Sequence, residues 1–430
     1  MSTAVTSTRE EPLQRRILAV LVLGQLLAGA GLAAGVTVGA LLAEDMLGGS
    51  ALSGLPAALF TGGSALAAVL VGKLSQARGR RPGLAAGFTF GALGAVGIVV
   101  ATAIGSLPLL FLSFVIYGSG TATNLQARYA GADLASPAHR ARALSYVLLG
   151  TTAGAVAGPN LVGPTGVVAE GMGLAPLAGP FLLAALAYGS AALVISLLLR
   201  PDPLIEARRR AAADKSATAP SSSPSIPSSP SSLSSPEAPL PVPGRIWTGE
   251  VITGVVVMAL TQFVMVGLMT MTPVHMRAHD HAVTVVGLVI SLHVAAMFLP
   301  APLSGWLVDK YGTRTVSISA GIVLLVSGVI AAVSPPENTL FITIALILLG
   351  VGWSLGLVAG TTVLASAVPI AVRASVQGQA DVAVALAGAV GGLLSGLVFA
   401  WIDFRGLGFW LAALSLIVVA AVRPRRAREL

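Results

Sequence analysis

The sequence predicts an all-α integral membrane protein of about twelve transmembrane helices arranged as two six-helix halves. Three observations predict it. The first is composition: 55% of the 430 residues are hydrophobic and only 10% are charged, against roughly a quarter charged in a soluble domain, and mean hydropathy is +0.89. The second is a succession of apolar runs long enough to cross a hydrocarbon core of about 30 Å. The third is a short basic loop that occurs twice, GKLSQARGRR from Gly72 to Arg81 and GWLVDKYGTR from Gly305 to Arg314, each between two apolar runs. Such an echo marks one helical unit duplicated and joined by a linker.

Composition also removes several function classes. The formal net charge is +8, yet the arginines and lysines stand at the ends of apolar segments instead of forming a basic domain. They orient a membrane protein and do not indicate a nucleic-acid partner. There is no cysteine, which excludes disulfides, thiolate metal sites and cysteine nucleophiles; no metal site is expected. The first apolar run is too long for a signal peptide and lacks a small-residue cleavage site, so it is expected to be retained.

In chain order, residues 1–14 are expected to form a polar tail and 15–200 the first bundle, with spans near 15–43, 52–74, 83–104, 107–131, 142–165 and 177–199. Residues 201–245 carry a run rich in serine and proline with little to bury, expected to be a disordered tether. Residues 246–422 form the second bundle, with spans near 247–273, 283–308, 315–334, 339–367, 375–400 and 406–422, and 423–430 are a basic tail. Lys73, Arg78, Arg80, Arg81, Arg140, Arg142, Lys310, Arg314 and Arg373 all fall in alternate loops. The opposite loops keep Arg277 and Arg405 beside Glu44, Asp45, Glu170, Asp280, Glu337 and Asp403. The positive-inside rule then makes the basic side and both termini cytoplasmic, in a plasma (inner) membrane.

The repeat extends beyond the loop: Arg140 and Arg373 each precede a span, and Gly154 and Gly158 have expected counterparts at Gly388 and Gly392. In the second loop Gly305, Leu307, Asp309, Lys310, Gly312 and Arg314 fit the pattern G-x-L-x-D-[RK]-x-G-x-[RK]. With two six-helix halves and a long central linker, the chain resembles the major facilitator superfamily over nearly its whole length. The first copy keeps Gly72, Arg78, Gly79, Arg80 and Arg81 but has Gln76 where that pattern has aspartate. The resemblance implies two bundles related by a pseudo-two-fold axis, working by alternating access. Glycines permit a tight reversal between helix ends, and an aspartate beside a helix N-terminus and arginines makes a charge-assisted latch. In the fifth span Gly154, Gly158, Pro159 and Gly163 resemble the superfamily's antiporter motif, which implies proton-driven export; Pro164 departs from it. Small residues every fourth position also suit plain helix packing, and Pro159 can bend the helix.

Ionisable groups within a bilayer are functional candidates by default. Asp381, about two turns inside the eleventh span, is the first choice for carrying a proton, with His293 and Glu250 as further candidates. An ion pair at the junction of the halves is the competing role for Asp381, and packing the competing role for His293. Tyr117, Thr121, Asn124 and Arg128 share one face of the fourth span, which the resemblance places on the central cavity; Arg128, near the inner end, either snorkels to headgroups or pairs with Asp133 or Asp309. Neutral cavity candidates are Gln25, Gln262, Trp353 and the adaptable Met265, Met269 and Met297.

The expected function is secondary active transport of a small hydrophobic or amphipathic solute. Proton-coupled efflux leads, with a metabolite importer or uniporter as the alternative. The proton gradient replaces any cofactor, lipid is the surrounding partner, and a monomer suffices because one chain holds both halves. No H-E-x-x-H or phosphate-loop pattern supports an enzyme or an ATP-driven pump, and the G-x-S-x-G match from Gly352 to Gly356 lies inside an apolar span and not at the strand-to-helix elbow that such a nucleophile needs.

Overall fold

A computed structural model describes residues 3–47, 55–218 and 246–422. The first half comprises α1 (Thr3–Leu47), α2 (Leu55–Arg78), α3 (Arg80–Ala103), α4 (Leu107–Ala132), α5 (Arg140–Asn160), α6 (Val162–Gly171) and α7 (Gly179–Leu198). After α8 (Pro203–Thr218) come α9 (Gly249–Ala278), α10 (Val283–Phe298), α11 (Ala301–Val333), α12 (Thr339–Ala367) and α13 (Arg373–Ala421). No strand occurs among the described residues. Two of these helices hold two crossings each: α11 turns at Gly312 and α13 at Ile402 and Asp403. With α10 running into the start of α11 and the short α6 and α8 set aside, twelve crossings result, six in each half.

The duplicated loops have the same backbone. Gly79 and Gly312, 233 positions apart, have φ/ψ of 104°/169° and 83°/158°, a region that strains any residue with a Cβ. Each reverses the chain between consecutive spans. Where an apolar helix begins, a short polar side chain closes it: Asn338 accepts from the amides of Leu340 and Phe341 at 3.1 and 3.4 Å, and Thr248 from Val251 at 3.3 Å, satisfying donors the helix leaves open.

Three expectations need correction. The polar tail is not separate from the first span, because α1 is helical from Thr3. The tether does not begin at residue 201: PLIEARRRAAADKSAT folds as α8. Its alanines, glutamate and arginines are strong helix formers, and Asp202 caps it by accepting from Leu204 and Ile205 at 3.0 and 3.2 Å. The rest of the tether, 219–245, and the tail 423–430 lie outside the described residues. Third, a constant offset of 233 pairs Gly154 with Ala387 and Gly158 with Gly391, not with Gly388 and Gly392. Gly391 is where α13 meets the backbone of α9, since a Cβ there would stand 2.6 Å from the Phe263 carbonyl oxygen.

One apolar core fills the first half, around Phe88, Phe114, Tyr117, Phe181 and Tyr188. Another fills the second half and takes in Tyr129, Ala141, Leu148 and Ala155 from α4 and α5. Outward faces carry exposed Leu66, Leu70, Phe90, Leu93, Leu186, Leu193, Leu393 and Leu397. So broad an apolar surface suits hydrocarbon, which also requires that backbone bonds be closed within helices.

The halves meet most closely at the end carrying the arginine-rich loops, here called the basic end. A Cβ on Gly72 would lie 2.9 Å from the Ala374 carbonyl oxygen, and one on Gly305 would lie 2.7 Å from that of Ala141. These two contacts are copies of one another at the same offset. We expect Gly305→Ala to weaken closure of the basic end. With no native cysteine present, labelling of Ala374→Cys by a water-soluble maleimide should rise several-fold in the Gly305→Ala background. Unchanged labelling would show that neighbouring side chains absorb the methyl group.

Candidate functional site

Between the halves, at and above the basic end, lies a chain of polar side chains. Its deepest part joins α4 to α12 and α13. Arg128, fully buried, donates from Nη2 to Asp381 Oδ1 at 2.7 Å and from Nε to Thr361 Oγ1 at 3.1 Å. Its neighbour Tyr129 donates its hydroxyl to the same Asp381 oxygen at 3.2 Å, and the guanidinium carbon stands 4.4 Å from the Tyr129 ring centroid. Among the described residues, Asp381 Oδ2 is buried with no partner. Arg128 therefore neither snorkels to headgroups nor pairs with Asp133 or Asp309; its partner is an acid 253 positions away in the other half.

One turn nearer the basic end, Arg80 is equally buried. It donates from Nε to Asp133 Oδ2 at 2.8 Å and from Nη2 to Gln377 Oε1. Gln377 and Asp381 are four apart on α13, so they share one face. That face meets a first-half surface made by the start of α3 and the end of α4.

The duplicated loops complete the closure in two unequal copies. Asp309 accepts from the α5 amides of Ala141 and Arg142 at 3.0 and 3.2 Å and from Arg142 Nε at 3.1 Å. A carboxylate there meets both a cation and the positive end of a helix dipole. Gln76 occupies the matching place: its Oε1 accepts from Ala374 N at 2.8 Å, and its Nε2 donates to the Ala371 carbonyl. Asp309→Asn is expected to slow transport about tenfold and Gln76→Ala by less, because hydrogen bonds involving a charged group are worth about 1.5–3 kcal/mol and neutral ones about 0.5–1.5 kcal/mol. Initial-rate solute flux in proteoliposomes provides the comparison; the reverse order would reduce the loops to topology signals.

Other parts of the repeated loop have local roles. Arg78 is exposed at the end of α2. The Arg81 amide donates to Asp202 Oδ2 at 2.7 Å, so one aspartate holds the starts of α3 and α8 together. Arg208 of α8 donates to the Gln76 carbonyl at 2.7 Å. Lys310 lies over the rings of Trp306 and Tyr311, 4.7 and 5.1 Å from their centroids, and Arg314 is exposed.

The cavity candidates divide. Gln25 of α1 donates to the Asn124 carbonyl at 2.8 Å and to Thr151 Oγ1 at 3.1 Å, linking α1, α4 and α5, while Asn124 Nδ2 stays unpartnered. Gln262 accepts from Trp353 Nε1 at 2.7 Å across α9 and α12. Thr121 is half-buried and Met269 partly buried, whereas Met265 and Met297 belong to the second-half core. Tyr117 is a correction: fully buried, it bonds the Gly31 carbonyl and packs against Phe60, Phe181 and Tyr188, so it serves packing and does not face open space. His293 is likewise fully buried, its Nδ1 2.7 Å from the Leu346 carbonyl oxygen of α12. Glu250 is exposed in the first turn of α9. In α5, Gly154 sits against the α1 backbone at Gly29 and Ala30, and the helix ends at Asn160, just beyond Pro159. Gly163 has open space beside it. Gln377 and Thr361 were outside the expected site; the signal for Gln377 was its place one turn before Asp381.

Two homologous six-helix bundles thus pack face to face, with ion pairs crossing between them. The family model of the Major Facilitator Superfamily matches residues 21–282 and 254–429. The chain belongs to that superfamily. Among relatives, it is 49% identical over 420 residues to the uncharacterized MFS-type transporter YdeG of Bacillus subtilis (strain 168), covering 98% of this chain and 94% of the relative. It is 28% identical over 425 residues to the riboflavin transporter RfnT of Brucella anthropi, covering 96% and 97%. Among solved structures, the human organic anion transporter TETRAN superposes with a TM-score of 0.73 at 19% identity, over 95% of this chain and 99% of that one. The proton:xylose symporter XylE gives 0.71 at 15% identity, over 96% and 95%. As a superfamily member the chain is a multi-pass membrane transporter of a small molecule. Its Arg128–Asp381 and Arg142–Asp309 pairs each join one half to the other.

Proposed function

We propose that this transporter is a proton-coupled secondary carrier that exports a small amphipathic solute, with Asp381 as the proton-carrying group. The observation that carries this reading is the Arg128–Asp381 pair, a single buried acid held by a cation of the other half. Protonating Asp381 removes the charge that holds Arg128, so the halves part at the basic end. A proton taken up from the opposite side, as solute leaves there, is thereby released on the basic side, where the next solute binds. The excess of arginine and lysine in these loops supports a cytoplasmic position for that end and for both termini. The solute binds between the halves, among Gln25, Asn124, Gln262 and Trp353, and the bundles rock around it. Close approach of α5 to α1 at Gly154 supports the antiporter likeness of that helix.

The test is transport in proteoliposomes under imposed proton gradients of either sign, with a panel of amphipathic dyes and riboflavin. Efflux-type accumulation driven by an opposing proton gradient supports the proposal. A second reading, uptake of a flavin-like metabolite, is favoured by the likeness to RfnT; riboflavin accumulation with the gradient, and no dye movement, would replace the first. Binding of a panel solute without movement under any gradient would defeat both.

A further inference from the structure

Positive charge is in surplus between the halves at the basic end. Arg80 and Arg128 each hold a carboxylate, Asp133 and Asp381. Arg140 and Arg373 hold none among the described residues: Arg140 donates to Ser366 Oγ at 3.2 Å, and Arg373 to the Val368 carbonyl at 3.1 Å. Asp133 attracts both, although Arg80 already occupies it, and Arg140 repels Arg373. Four guanidinium groups therefore share two carboxylates.

Arg140 and Arg373 are counterparts in the duplication, 233 positions apart, and each is the first residue of its helix, α5 or α13. The positive ends of two helix dipoles therefore lie beside the two guanidinium groups. Donors are also left unused. Among the described residues, Arg140 Nε is buried without a partner, and so is Nε2 of Gln377, a residue 1% exposed and one turn beyond Arg373. Both arginines are half-buried, so solution reaches them. Facing like charges, helix N-termini and idle donors disfavour an empty site and favour an occupied one.

We propose that Arg140 and Arg373 bind a small phosphate-class oxyanion between the halves at the basic mouth. A doubly charged tetrahedral anion matches the surplus of two cations and presents oxygens to both guanidinium forks, whereas one carboxylate serves a single fork. Because each half supplies one arginine, the anion bridges them only while the basic end is closed. It therefore shifts the population towards that state by its differential affinity. This last consequence rests on the alternating-access reading; the binding itself does not.

The full-length chain, purified in detergent, is titrated calorimetrically with inorganic phosphate at constant ionic strength. In parallel, spin labels at Ala138→Cys and Thr315→Cys, exposed positions near the basic end in different halves, report the separation of the halves in nanodiscs. We expect phosphate to bind and to enrich the short-distance population. Arg140→Gln and Arg373→Gln should each weaken binding roughly 10- to 100-fold and abolish the shift, while Arg140→Lys and Arg373→Lys retain part of it and so report an intact fold. A shift in phosphatidylglycerol nanodiscs without phosphate, lost in Arg140→Gln, identifies a lipid headgroup as the source. A shift in phosphatidylcholine that needs added phosphate identifies the free anion. Equal affinity in the glutamine variants, or no binding and no shift in either lipid, overturns the proposal; binding without a shift overturns the state preference. A chain that transports nothing in proteoliposomes can still give the calorimetric result, so the two failures are distinguishable.

Discussion

Asp381→Asn is expected to lower solute accumulation driven by an imposed proton gradient by at least about a hundredfold, the loss typical of removing a positioned proton carrier, while exchange of solute at equal pH persists. Asparagine keeps the shape of the side chain and can still accept from Arg128 and Tyr129, which bond Asp381 Oδ1 at 2.7 and 3.2 Å. It cannot take up a proton. The measurement pairs gradient-driven accumulation with counterflow of labelled solute in the same vesicles. Undiminished accumulation removes Asp381 as the coupling group. Loss of exchange as well assigns it to the structure of the interface, the competing role that its position between the halves allows.

The second large effect concerns stability. Arg128→Ala leaves Asp381 buried without its cation, which costs about 3–5 kcal/mol for a broken buried pair. The double variant Arg128→Met, Asp381→Leu removes both charges and refills much of the space with apolar groups, and such replacements are often neutral or stabilising. Thermal unfolding of the detergent-purified protein should therefore show a large drop in midpoint for the single variant and recovery in the double one, which nevertheless fails to couple to protons. If the double variant unfolds as early as the single one, loss of charge compensation is not what destabilises Arg128→Ala, and the close fit around Tyr129 and Thr361 carries the difference.

What could be read from the sequence followed the range of the forces involved. Spans are local: a run of apolar residues states its own length, and α4, expected at 107–131, runs Leu107–Ala132. The Asp309 latch was also legible, because the motif puts a carboxylate beside a loop that must pack on a neighbouring helix start. The partner of Arg128 was not. Helical periodicity shows which face a residue occupies but not which helix of the other half meets it, so Asp133, Asp309 and the headgroups were the candidates and Asp381 was not. Asp133 turned out to hold Arg80, whose basic-loop position suggested an exposed topology signal as readily as a buried contact. The helix α8 was missed for a different reason: the serine and proline run after it dominated the composition of the whole linker, although EARRRAAADK within it is made of helix formers.

The unequal charges of the two halves have a consequence for assembly. Arg128 reaches Thr361 at 3.1 Å, and these two residues are each other's counterparts, so they sit where the pseudo-two-fold axis passes. In a true two-fold pair, a residue on the axis meets its own copy. Two first halves would thus press Arg128 against Arg128 with no acid between them, since the counterpart of Asp381 in that half is Leu148. Two first halves would therefore meet with an uncompensated pair of buried cations, whereas a first half meeting a second half gains the Arg128–Asp381 ion pair. Joining the halves in one polypeptide keeps that complementary partner at hand.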